Sequence, residues 1–201
     1  PFIDIDEWRD APVRHRYVHG GFENNGTRFS FYLPPAEAYE GRFFQHATPV
    51  PDSENLAQQR VALDDEDNKI AMAIESGAAF VETNGGGGGM ASSQPGMDGM
   101  LAAYKANAAA ADQFRRVASE MYGEQRAYGY LYGGSGGGFR TMGAAENTSG
   151  VWDGYVPYVI GSPMAIPNVF CVRQHAHRLL RDQLDRIVDA YEPVGRTRTR
   201  G

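Results

Sequence analysis

Ser135 stands in the run Gly133-Gly134-Ser135-Gly136-Gly137, which fits G-x-S-x-G. That pattern has a physical reason. A strand that turns sharply into a helix holds the serine in a strained backbone conformation with its hydroxyl exposed. Small residues two before and two after the serine let strand and helix approach closely. The N–H that follows the serine, here that of Gly136, then points at oxygen charge developing on an attacked carbonyl. One such donor contributes about 2.7–4 kcal/mol. The chemistry implied is nucleophilic attack by a serine hydroxyl. The same string also serves as a glycine-rich turn whose serine merely caps the next helix. A phosphate cradle fits less well. No lysine follows the loop, and the nearest basic residue is Arg140. A G-x-G-x-x-G register fails at Met90 after the run Gly85 to Gly89, and at Thr141 after Gly136.

A serine nucleophile needs a base, and the base needs an acid to orient it. His175 and His177 follow Ser135, but they lie two apart on a predicted helix and so turn to different faces, a poor metal pair as well. His15 and His19 fall on a leading hairpin, and His46 ends a predicted strand. The run Asp64-Asp65-Glu66-Asp67 lacks the spacing and glycine of a calcium loop and reads as a solvated helix start. Asp153, in Trp152-Asp153-Gly154, reads as a turn residue. Cys171 is the single cysteine, so no internal disulfide framework forms, and it reads as packing. Neither a metal nor an organic cofactor is expected.

These side chains need a frame, and 201 residues with 42% hydrophobic and 22% charged content suit one globular core. A net charge of −6 argues against gripping nucleic acid or an anionic membrane. No apolar stretch approaches the roughly 20 residues that span a bilayer. Residues 14–33 predict a hairpin, with Arg16 to Phe22 and Thr27 to Leu33 as strands and Asn24-Asn25-Gly26 as the turn. Further strands are predicted at Gly41 to His46, Ala78 to Thr83, Ala127 to Tyr132 and Tyr155 to Ile160. Between them, residues 54–76 turn helical and stop at Gly77. Leu101, Tyr104, Ala108, Ala111, Phe114, Val117, Ala118 and Met121 stripe a long helix, and a short helix runs from about Phe139 to Ala145. Val169, Val172, Ala176, Leu180, Leu184, Ile187 and Tyr191 stripe a last helix, with Arg178/Asp182, Arg181/Asp185 and Asp182/Arg186 as solvent-face pairs. This alternation predicts an α/β fold: a mostly parallel sheet with helices on both faces and a leading antiparallel hairpin. There is no internal repeat.

The segment Tyr130-Leu131-Tyr132-Gly133-Gly134-Ser135-Gly136-Gly137 resembles the nucleophile elbow of the α/β-hydrolase superfamily, and the order of elements resembles that fold. The hairpin would supply strands one and two, and the four later strands would be three to six. A weaker likeness is to the tannase and feruloyl-esterase group, which places cysteine where Gly134 stands. The resemblance implies a serine hydrolase acting on a small-molecule carboxylic ester, with Ser135 as nucleophile. One oxyanion donor would be Gly136. The other would come from the loop His46-Ala47-Thr48-Pro49-Val50-Pro51; its prolines have no N–H, which leaves Ala47, Thr48 or Val50, with Thr48 the choice. His46 and Gly134 would line the substrate, and Gly85 to Gly89 would either line its entrance or form a flexible surface loop.

In the superfamily the acid and histidine follow the serine in that order. The loop Gly161-Ser162-Pro163-Met164 has no carboxylate, and no further strand is evident, so both partners are expected beyond Gly201 and this chain alone is expected to be inactive. Residues 1–165 would be the core, 166–195 the start of a cap, and 196–201 a basic tail or truncation point of a longer protein. The alternatives are a non-catalytic binding or scaffold protein on the same fold, and a domain whose glycine loops bind an anionic ligand. Two glycosylation-like triplets, Asn25-Gly26-Thr27 and Asn147-Thr148-Ser149, leave the compartment open, and nothing in the sequence fixes an oligomeric state.

Overall fold

Phe29, Phe31 and Leu33 alternate with Ser30 and Tyr32 along β3 (Arg28–Leu33), and this period of two sorts side chains to opposite faces of a sheet. The computed structural model describes residues 1–60, 68–87, 98, 100–160 and 172–191. The chain divides into two units, Pro1–Ile160 and Gly161–Gly201.

The first unit is built on a seven-stranded sheet. Its strands are β1 (Phe2–Arg9), β2 (His15–Gly21), β3, β4 (Arg42–His46), β5 (Ala78–Thr83), β6 (Tyr128–Gly134) and β7 (Gly154–Tyr158), in the spatial order β1-β2-β3-β5-β4-β6-β7. The four strands β5, β4, β6 and β7 run parallel. The meander β1-β2-β3 joins them antiparallel, with Tyr32 opposite Phe80. The hairpin expected over 14–33 is therefore β2 and β3, and Gly26 at its turn has φ +67°. The edge strand β1 is an addition to the expected set. Its apolar residues split between both faces, leaving Ile3, Ile5 and Trp8 exposed.

Both faces of the sheet are covered. On one, Tyr17, Tyr32 and Phe80 pack against Ile70, Ala73 and Ile74 of α1 (Lys69–Glu75). Asn68 caps α1 through its side chain, and Gly77 ends it at φ +75°. On the other, Phe29, Phe31, Phe43, Val81 and Leu131 meet Phe114, Val117 and Ala118 of α2 (Ala106–Tyr122), together with Ala144 of α3 (Gly136–Asn147). Phe114 sits 4.6 Å from the Phe43 ring and 5.5 Å, edge-on, from Phe31. Each such ring contributes about 1.5–3 kcal/mol by leaving water.

Two helical expectations change. Leu101–Lys105 is a π-helical turn, whose wider winding shifts the phase of the predicted stripe. Ala106, Asn107 and Ala110 are consequently buried in α2, and Ala108 only partly. In the second unit the predicted single helix is two, α4 (Gln174–Leu180) and α5 (Leu184–Tyr191), with a 3₁₀ turn at Arg181–Gln183 between them. That turn breaks the i,i+4 spacing, and none of the three expected ion pairs forms; Arg186 donates to Gln183 instead. Val172, Leu180, Leu184 and Ile187 are exposed. The readings placed on Asp64 to Asp67, Gly88 and Gly89, Gly161 to Met164, Val169, Cys171, the boundary at 165/166 and the tail from 196 lie outside the described residues.

Candidate active site

β6 runs on through Gly133 and Gly134, two residues further than its apolar pattern suggests, and α3 begins at Gly136. Ser135 is the single residue between them, at φ 55°, ψ −118°. A non-glycine residue held there stores of order 1–3 kcal/mol of strain. Hydrogen bonds on both sides hold it: the Ser135 N–H donates to Tyr158 O at 3.1 Å, and the Phe139 N–H donates to Ser135 O at 3.2 Å. The Ser135 side chain is exposed and makes no capping bond, which removes the reading of this serine as a simple helix cap. The Gly136 N–H is the first of α3 and has no intrahelical acceptor.

The glycines around Ser135 answer to close approach by the loop that follows β4. A Cβ on Gly137 would stand 2.1 Å from Ala47 O, and one on Gly136 would stand 2.3 Å from Pro49 O. The loop 47–51 thus lies directly against the N-terminal turn of α3. Of its three candidate donors, Ala47 is taken, because its N–H donates to Tyr132 O at 2.8 Å. The N–H groups of Thr48 and Val50 have no acceptor among the described residues. Thr48 is buried; its hydroxyl donates to Val50 O at 2.6 Å and accepts from Arg140 Nη1 at 2.9 Å.

His46 is half-buried at the end of β4, its ring 5.2 Å from that of Tyr132. It lines a cavity of about 390 Å³ together with Thr48, Pro49, Val50, Lys69 and Glu82. Gly134 faces Tyr158: a Cβ there would stand 2.5 Å from that ring. The turn after β5 is not a loose surface loop over Gly85 and Gly86. Both are buried at positive φ, and their N–H groups donate to Thr83 Oγ1 and Asn84 Oδ1.

Two functional-looking side chains escaped the sequence reading. Glu82 is buried on β5, accepting from Tyr32 Oη at 2.7 Å and from the Ala57 N–H at 3.1 Å. Burial pushes its carboxyl up to about 8, against the opposing pull of those donors and of Lys69. A lone acid in the apolar run Ala78 to Thr83 was the available signal. Arg140 is buried in α3 with no carboxylate partner among the described residues, and nothing in its sequence neighbourhood marks it.

Of the other histidines, His15 is buried beside Val13 O, His19 lies between Asp4 and Glu54, and His175 and His177 are exposed in the second unit. Among the described residues, no cluster of three His, Cys, Asp or Glu side chains could hold a metal, and no helix is long and apolar enough to cross a membrane.

The chain has the α/β-hydrolase fold. Solved structures that share it include three fungal hydrolases. The tannin acyl hydrolase from Aspergillus niger is 17% identical with a TM-score of 0.50, over 77% of this chain and 30% of its own. An esterase from Aspergillus oryzae is 13% identical with a TM-score of 0.57, over 77% and 33%. Feruloyl esterase B from Aspergillus oryzae is 18% identical with a TM-score of 0.53, over 71% and 27%. The matched part thus spans about a third of each of those chains. No protein-family model and no curated protein matches the sequence.

Proposed function

We propose that this chain carries the nucleophile and oxyanion hole of a serine hydrolase that cleaves carboxylic esters. The observation behind the reading is Ser135 itself, exposed and strained between β6 and α3, next to an N–H with no helical acceptor. The solved structures of similar fold are named as a tannin acyl hydrolase and esterases, which agrees with it.

In this mechanism Ser135 Oγ attacks the ester carbonyl carbon and passes its proton to a histidine base. The Gly136 N–H and the Thr48 N–H hold the oxyanion of the tetrahedral intermediate. Its collapse breaks the bond to the alcohol oxygen, which takes the proton from the histidine. Water then hydrolyses the acyl-serine by the same route in reverse. The base and its orienting acid come from outside the described residues, and His46 and Gly134 border the substrate.

The test is turnover of p-nitrophenyl acetate by the full-length protein. Turnover that Ser135→Ala reduces by at least about a thousandfold supports the reading. Turnover that survives the substitution removes it, and a folded protein with no turnover favours a binding role on the same fold.

A further inference from the structure

Arg140 is nine-tenths buried, five residues beyond Ser135 on α3. A buried cation costs several kcal/mol unless it is well paired, and replacing such a group by an apolar one often stabilises a protein. Here no carboxylate among the described residues lies within ion-pair distance. Burial draws the guanidinium down to about 10, and it stays charged at neutral pH. What it does touch is specific. Nη1 donates to Thr48 O at 2.8 Å and to Thr48 Oγ1 at 2.9 Å, and Nε donates to Ala102 O at 2.8 Å. Nη2 has no hydrogen-bond partner among the described residues and lies 2.6 Å from where a Cβ on Gly85 would stand.

The guanidinium therefore joins the loop after β4 to the turn before α2 and abuts the turn after β5. Two contacts on one residue fix the backbone of Thr48, and with it the direction of the Thr48 N–H. The planar fork of arginine meets the Thr48 and Ala102 carbonyls from two separate nitrogens, where lysine has one to place.

We propose that Arg140 is the positioning residue of the oxyanion loop, setting the Thr48 N–H against Ser135 from beneath. This rests on the esterase reading above. A misplaced oxyanion donor penalises the transition state more than substrate binding, so the effect belongs in kcat.

The experiment compares wild type, Arg140→Gln and Arg140→Lys in the full-length protein, with Arg126→Gln as a surface control. It measures kcat and KM for p-nitrophenyl acetate, and amide hydrogen exchange over residues 43–50. The expected result for Arg140→Gln is a kcat loss of at least about tenfold with KM within about threefold, and faster exchange at Ala47, whose N–H is bonded to Tyr132 O, but not at Phe43 to Gln45. Arg140→Lys should fall between, and Arg126→Gln should match wild type. An unchanged kcat in folded Arg140→Gln overturns the proposal while leaving the esterase reading intact. If wild type itself shows no Ser135-dependent turnover, the esterase reading fails. Exchange then decides whether Arg140 holds the loop: faster exchange at Ala47 in Arg140→Gln supports it, and unchanged exchange overturns it.

Discussion

Arg140 Nη1 reaches both the carbonyl and the hydroxyl oxygen of Thr48, at 2.8 and 2.9 Å, across a sequence separation of 92 residues. Through this pair the helix that follows Ser135 grips the loop that packs on its first turn. The same contact zone makes the glycines between them sensitive to volume, in a way that separates packing from helix propensity.

Gly137→Ala should destabilise the protein by at least about 2 kcal/mol, because its methyl would meet backbone rather than a movable side chain. Gly143→Ala, on the same helix, meets nothing within 4 Å and should stabilise by about 0.5–1 kcal/mol. Urea denaturation of both variants reads the two signs. Equal effects would mean that the loop does not pack on α3 as described.

Phe114→Ala should cost about 3–5 kcal/mol, since its ring is fully buried between Phe31 and Phe43. The same denaturation midpoint measures it. A loss below about 1 kcal/mol would contradict a core closed by α2 on that face of the sheet.

Glu82 predicts a pH dependence with a definite sign. Its carboxyl titrates near 8 in the folded protein against 4.5 as the ordinary value, so the folded state holds the proton more tightly. The resulting stabilisation is complete below about 4.5 and is lost as pH rises through 8. Glu82→Gln keeps an acceptor for the Ala57 N–H and turns an amide N–H donor toward Tyr32 Oη, as the protonated acid would, without the charge. Its stability should approach that of wild type near pH 5 and exceed it near pH 9. Parallel stability curves across that range would show that Glu82 is not held protonated.

Much of the sheet was legible in advance, for physical reasons visible in particular residues. Period-two patterns and the Asn25-Gly26 turn marked β2 and β3, and compact apolar runs bounded by glycine and proline marked β4 to β7. β1 was missed because its apolar residues divide between two half-open faces. The start of α3 was placed too late, because three glycines oppose helix by propensity and are there for close approach. The sharp turn at Ser135 was legible because a motif ties residue type to backbone geometry. Arg140 and Glu82 were not: their significance lies in long-range burial and partners, which no local pattern encodes.

The central claim, that Ser135 is an activated nucleophile, is tested most directly by a fluorophosphonate probe on the full-length protein, with the modified residue located by mass spectrometry. The account predicts one covalent adduct on Ser135 that disappears in a folded Ser135→Ala variant. No adduct on the wild-type protein, or one that persists when Ser135 is alanine, would contradict it.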